Sequence, residues 1–290
     1  MINLVSDFPA VASGYGAHLR GLARALARMG EQVGIECWRP PLWERQVDGE
    51  LLKCLMTDAR KGKNVLVTTP MYLPLKWAER NEGLWPYCVF EGDTVPLSWC
   101  AVLEDERVKG VLVPSNNVEH GLRKSGFSKD IIVVPHGHDP AVFKKMDRAE
   151  ILKKPEWKSF PKDKFVFGFV GGWAQGENDR KDLGLALRAY CKVVKKDDPV
   201  LFVVKVNMAY NPALNLADAI AALNLPKPCP DIIAFTDDMS DESRAELYNL
   251  MDAHVMPTRG EAFGLTMLEA MACGTPNIAT AWGGQTDFLN

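Results

Sequence analysis

Short apolar, β-branched runs alternate with amphipathic stretches along this chain, and the alternation restarts once. Ile2–Val5 reads as a strand. Leu19, Leu22, Ala23 and Leu26 then recur at i, i+3, i+4 and i+7, the spacing of one buried helix face, with Gly30 as its terminator. Val33–Cys37, Val65–Thr68, Tyr87–Phe90, Val111–Val113 and Ile131–Val134 read as further strands, and Ser115 caps a helix running to about Ser125, stopped by Gly126. From Lys144 to Lys164 the text changes to Lys, Asp and Glu broken by Pro155 and Pro161, which predicts a short helix and a linker. The alternation then resumes with strands at Phe165–Val170, Val200–Val206, Ile232–Phe235, Ala253–Met256 and Asn277–Ala279. Between them lie a helix face at Leu183, Leu187, Tyr190 and Val194, a helix from a Ser240 cap to near Met251, and a helix over Gly264–Cys273. Strand–helix order run through twice predicts an α/β chain of two Rossmann-like domains, with parallel sheets covered by helices and a cleft between them. The expected division is 1–145, a linker over 146–163, and 164–290. Ligands of open parallel sheets bind beyond the carboxyl ends of the strands, so the loops that follow strands are where chemistry is expected.

Composition narrows the function classes. The chain has 290 residues, enough for two domains, and 47% of them are hydrophobic, which excludes general disorder. A net charge of -3 lacks the Lys and Arg excess of a nucleic-acid binder, so no nucleic-acid partner is expected, although a local phosphate site is compatible with it. The seven cysteines form no C-x-x-C pair, as in a reducing compartment. The N-terminus lacks the basic and apolar regions of a signal peptide, and no apolar run approaches the roughly 20 residues of a membrane span. The expected location is cytoplasmic, with peripheral membrane contact left open.

The segment Thr258–Pro276 has the order strand, loop, helix, glycine stop, with Glu261 in the loop and Glu269 within the helix. The amides of Phe263, Gly264, Leu265 and Thr266 open that helix, and a helix N-terminus is a ready anion site. A carboxylate before the helix and another inside it would flank a diphosphate, one facing a sugar ring and the other a ribose. After the first strand, Ser13-Gly14-Tyr15-Gly16 offers glycines where backbone can approach a phosphate or sugar, although Leu19 stands where a dinucleotide fingerprint needs its third glycine. Arg180 and Lys181, in Asn178–Leu183, put two cations at the start of a helix, where they oppose the helix dipole unless an anion binds. Lys205, in an otherwise apolar strand, is a further candidate cation. His136, in Pro135-His136-Gly137-His138-Asp139, is a candidate lining residue, with a metal reading of His136, His138 and Asp139 lacking a further ligand cluster. Glu91 and Asp93 follow the strand ending at Phe90 and are candidates to bind an acceptor. Trp38, Trp43, Trp77, Trp85 and Trp99 suit core packing as well as sugar stacking and receive no role.

The run from Leu247-Tyr248 through Glu261 and Glu269-Ala270-Met271-Ala272-Cys273-Gly274-Thr275-Pro276 to Gly283-Gly284 resembles the Glu-x7-Glu region of retaining GT-B glycosyltransferases of family 4, also called glycosyltransferase group 1. The resemblance implies a nucleotide-diphosphate sugar donor, Glu269 at its ribose, Glu261 at its sugar, and the Gly14/Gly16 loop closing over it. Arg180 and Lys181 resemble the family's Arg-Lys-Gly, with Asp182 in place of the glycine, and Pro135–Asp139 resembles Pro-His-Gly-Val-Asp, with His138 for the valine. Ala262 stands where glycine is commoner, and the loop at 90–96 lacks the histidine that many relatives carry there, so no general base is assigned. The candidate catalytic residues are thus Glu261, Arg180, Lys181 and Asp93. The candidate donor-binding residues are Glu269, Phe263, Gly264, Leu265, Thr266, Gly14, Gly16, Lys205 and His136.

The expected reaction is transfer of the sugar to a hydroxyl of a carbohydrate, lipid or protein acceptor, with retention by same-face internal return. No Asp-x-Asp occurs, so no obligatory metal is expected, and no cofactor beyond the donor. A sugar-nucleotide epimerase would use the same architecture, whereas a phosphorylase would need a pyridoxal lysine that is not identifiable. Family members usually continue beyond the equivalent of Asn290, so the second domain reads as lacking its closing elements, and a non-catalytic nucleotide-sugar-binding remnant is the alternative from another class.

Overall fold

The computed structural model describes residues 1–6, 13–37, 49–58, 63–67, 84–173, 179–207 and 215–290. Trp38, Trp43, Trp77 and Asn178 lie outside these residues. The chain divides into two units: Met1–Gly137 with Glu261–Phe263 and Gly283–Asp287, and His138–Gly260 with Gly264–Trp282 and Phe288–Asn290.

The first unit is built on six strands, β1 (Ile2–Val5), β2 (Val33–Glu36), β3 (Lys63–Val67), β4 (Trp85–Tyr87), β5 (Gly110–Val113) and β6 (Asp130–Val133). They pair in the order β2-β1-β3-β4-β5-β6, parallel throughout. Ile2 stands opposite both Val33 and Lys63, so the order reverses at β1. The intervening helices are α1 (Gly14–Arg28), α2 (Gly49–Met56), α3 (Leu97–Leu103) and α4 (Asn116–Lys124). Leu4, Leu19, Ala23, Val33 and Ile35 close one core, and Tyr87, Leu103, Val111, Val113 and Leu122 a second. The helical spacing read from Leu19 to Leu26 is borne out, and Ser115 caps α4 by accepting from the amide of Val118. The helices α2 and α3 have no counterpart in the sequence reading, because about two turns hold too few positions for a 3.6-residue period to stand out.

The second unit carries α5 (Arg148–Ile151), β7 (Phe165–Gly172), α6 (Leu183–Val193), β8 (Val200–Asn207), α7 (Leu216–Ala221), β9 (Ile232–Phe235), α8 (Asp241–Leu250), β10 (Ala253–Met256), α9 (Leu265–Ala272) and β11 (Asn277–Ala279). Its parallel strands run β11-β10-β7-β8-β9. The chain winds one way from β7 to β9 and the other from β10 to β11, so the reversal falls between β7 and β10. The loops after these two strands therefore flank the position where open α/β sheets bind ligands. Gly171 and Gly172 are the last residues of β7 and pair with Val206 and Asn207.

The stretch 146–163, expected as a linker, packs into this unit. Ile151, Trp157 and Phe160 share a core with Val166, Leu201, Tyr248 and Leu250. The indole of Trp157 donates to Glu246 at 2.6 Å, and Arg148 pairs with Asp252 at 3.1 Å. The apolar residues are single letters among charges, a pattern with no period, which is why composition reads the segment as solvated.

Candidate functional site

In the second unit the two loops at the strand reversal are tied together. The backbone amide of Arg259 donates to the carbonyl of Arg180 at 2.8 Å, and the Thr258 hydroxyl lies 3.2 Å from the same oxygen. Return contacts run from Arg259 Nη2 to the Asp179 carbonyl at 2.8 Å and from the Arg180 guanidinium to the carbonyl of Gly260. The turn that presents Arg180 and Lys181 is built around Asp179. This buried carboxylate accepts from the Trp173 indole at 3.0 Å and from the Asp182 amide at 3.1 Å, and burial raises its pKa. Asp182, at the position of the family's glycine, has φ 55 and ψ 43, the left-handed region, and its side chain caps α6 at the Leu185 amide. The substitution is therefore compatible with the turn: Asp is among the few side chains that tolerate this conformation.

The loop after β10 leads into α9. Its N-cap is Gly264, with φ 100 and no side-chain hydrogen bond, whereas Ser13, Ser115, Asp182 and Ser240 each cap their helices with an oxygen. A side chain at Gly264 would be strained at this φ, so the first-turn amides of α9, at Leu265 and Thr266, are reached without a capping oxygen in front of them. Oriented amides and the positive end of the dipole make this an anion-binding terminus. Lys205 is buried on β8, two residues before the strand ends, and its ammonium donates to the Val206 carbonyl at 2.8 Å.

Glu269 faces inward from α9 and is buried. Arg244 on α8 takes both carboxylate oxygens, Nε to Oε2 at 3.1 Å and Nη2 to Oε1 at 3.0 Å, and the Tyr248 hydroxyl donates to Oε2 at 3.1 Å. Burial opposes the charge on Arg244, but Glu269 and Asp241 outweigh it and hold its pKa above the ordinary range. Burial first, and Glu269 second, push the Tyr248 hydroxyl well up and Cys273 to about 11.

The first unit holds the remaining candidates. Gly14 and Gly16 lie in the first turn of α1 rather than in a loop, and the Gly16 amide donates to Ser13 Oγ at 3.1 Å. A methyl group at Gly14 would meet no heavy atom within 4 Å, so nothing in the fold itself demands glycine there. Glu261 and Phe263 are buried in this unit. The carbonyl of Glu261 accepts from the Gly284 amide at 2.7 Å, and a Cβ at Gly284 would fall 2.0 Å from the Ala262 oxygen, so these two segments require glycine to approach.

His136 stacks on His18 of α1 with ring centroids 4.3 Å apart, and Tyr87 and Phe263 stand 5.6 and 5.0 Å from it. Both nitrogens of His136 and Nε2 of His18 are buried without a hydrogen-bond partner. Burial lowers the pKa of His18 to about 4 and that of His136 well below 6.5, so both rings are neutral. Asp93 is exposed and paired with Lys124 at 2.8 Å, which lowers its pKa and makes it a weaker base. Trp99 is a core residue, edge-on to Phe90 at 5.2 Å. Among the described residues no three His, Cys, Asp or Glu side chains group as metal ligands, and no helix is long and apolar enough to cross a membrane.

His18, Arg244 and Tyr248 are absent from the sequence reading of the site. Tyr248 was visible only as part of a motif. Arg244 carries a signal in hindsight, since it is spaced i, i+4 with Tyr248 and so shares its helix face.

Residues 164–290 match the sequence model of the family described as Glycosyl transferases group 1. A D-inositol 3-phosphate glycosyltransferase of Actinosynnema mirum is 30% identical over 157 residues, 53% of this chain and 36% of that protein. The match thus spans about a third of that relative's length. Among solved structures, sucrose-phosphate synthase from Thermosynechococcus elongatus superposes with a TM-score of 0.74 at 19% identity, covering 98% of this chain and 82% of that one. Anabaena HepE in complex with UDP-glucose gives 0.71 at 15% identity, covering 100% and 83%. These likenesses establish the fold as GT-B. Over residues 164–290, the chain is similar to the group 1 glycosyltransferases.

Proposed function

We propose that this chain transfers a sugar from a nucleotide-diphosphate sugar to an acceptor hydroxyl, with retention of anomeric configuration and without an obligatory metal or further cofactor. One observation carries the reading. At the strand reversal of the second unit, the Arg180/Lys181 turn is hydrogen-bonded to the loop that ends in the uncapped N-terminus of α9. Fixed cations and oriented amides beside one another are what a departing diphosphate needs, since they are already in place when its charge develops. In this reading Glu269 receives the ribose and Glu261 orients the sugar. Gly14, Gly16, Phe263, Lys205 and His136 serve donor binding, and the acceptor is a carbohydrate, lipid or protein hydroxyl.

The absence of a metal requirement follows from the cation pair doing the work that a divalent ion does elsewhere. A panel of UDP-, GDP- and ADP-sugars, read by released nucleotide in EDTA, tests donor and metal together, and product NMR reads the anomeric configuration. Binding or release with none of the donors, in EDTA or with added Mg²⁺ or Mn²⁺, sinks the proposal. An inverted product sinks the retention, and activity restored only by the metal sinks the metal independence.

A further inference from the structure

The carboxylate of Glu269 is held from three directions by α8. Arg244 and Tyr248, one turn apart on that helix, supply two guanidinium N–H groups and one hydroxyl. Arg244 is itself braced by Asp241, 3.1 Å away, and its guanidinium carbon lies 5.2 Å from the Phe143 ring centroid.

We propose that Arg244 is the positioning residue for the carboxylate that receives the donor's ribose. The inference rests on the nucleotide-sugar reading above. A carboxylate offers about four lone-pair directions over its two oxygens. Three are taken by Arg244 and Tyr248. The remaining direction accepts one ribose hydroxyl. The forked pairing also selects one rotamer, because a planar guanidinium meets both oxygens in a single orientation. Arg244 thereby sets where that last lone pair points. The cluster holds Asp241 and Glu269 against one guanidinium, so it favours a neutral diol over a phosphorylated ribose.

The test uses calorimetric titration of the full chain with UDP, GDP and ADP, each beside its 2′-deoxy and 3′-deoxy counterpart. The wild type is expected to bind at least one ribonucleotide about tenfold more tightly than one of its two deoxy analogues, the loss of one hydrogen bond to a charged group. In Arg244→Met that ratio falls to near one, while Arg244→Lys retains part of it. Tyr248→Phe removes one hydroxyl and no charge, and it also lowers the ratio, so the test stands if Arg244→Met does not fold. Equal weakening of ribo- and deoxynucleotides, with the ratio preserved in these variants, overturns the assignment and leaves Arg244 a structural residue. Failure of the wild type to bind any of the three diphosphates instead removes the nucleotide-sugar reading beneath it.

Discussion

The Ser115 hydroxyl donates to the carbonyl oxygen of Ala262 at 2.6 Å, across 147 residues of sequence. Ser115 Oγ in turn accepts from the Val118 amide at 3.3 Å and so caps α4. One buried hydroxyl thus serves a helix end and a distant loop of the same unit. Ser115→Ala removes both bonds and leaves a buried carbonyl unmet, for an expected loss of about 2 kcal/mol. Ser115→Thr keeps the hydroxyl and should lose less than half of that. Urea denaturation of the two variants checks the ordering, and an alanine variant as stable as wild type would contradict it.

Asp182 offers a cleaner separation of backbone from side chain. Its left-handed φ of 55 disfavours a side chain, while its carboxylate supplies the α6 cap at 3.3 Å. Replacement by glycine relieves the first and deletes the second. Each is worth about 1 kcal/mol, so Asp182→Gly should be close to neutral. Asp182→Ala keeps the strain and loses the cap, with an expected cost of about 1 kcal/mol or more. A chemical denaturation series on both variants decides it, and equal midpoints would contradict the assignment.

That residue also shows where the sequence is readable. The departure from the family's glycine is visible at once, but its cost depends on a φ angle that no spacing reveals. Strands such as Val200–Asn207 were legible because parallel strands buried on both faces read as continuous apolar runs. The helix α7 was not, because it has only six residues. Glu261 and Glu269 read as one seven-spaced motif, yet they fall in different units. The Arg244–Glu269 pairing joins residues 25 apart on two helices, so it follows from packing and not from any periodicity.

The neutral stack of His18 and His136 sets a pH dependence with a definite sign. Unfolded histidines take up protons near pH 6.5, whereas His18 in the fold does so at about 4 and His136 lower than the ordinary value as well. Between these values the unfolded chain binds more protons. Stability is therefore flat above pH 6.5 and falls as the pH drops toward 4, by up to about 1.4 kcal/mol per pH unit for each ring. Asp93 and Asp105, held low by Lys124 and Arg107, titrate below this window. Melting temperatures from pH 7 to pH 5 should decline in the wild type and decline about half as steeply in His136→Phe. A slope unchanged by that substitution would remove the stack as the cause.

Cys191, in α6, and Cys229, just before β9, place their sulfurs 2.9 Å apart although 38 residues separate them in sequence. No short cysteine spacing announces the pair. Both are free thiols, and burial together with the hydrogen bond to Cys229 pushes the Cys191 pKa to about 12. A thiol so high in pKa is rarely a thiolate at neutral pH, so spontaneous oxidation should be slow even though the sulfurs are close. Diamide, which accepts two electrons and two protons as it becomes the hydrazine, supplies the missing oxidant. Treatment of the folded chain is expected to remove two hydrogens, to join the peptides containing Cys191 and Cys229, and to protect those two thiols from later alkylation. Cys229→Ser should abolish the cross-link and leave Cys191 alkylated only after unfolding. Joining of Cys191 to any other cysteine, or full alkylation of both after diamide, would show that the two sulfurs do not keep this approach in solution.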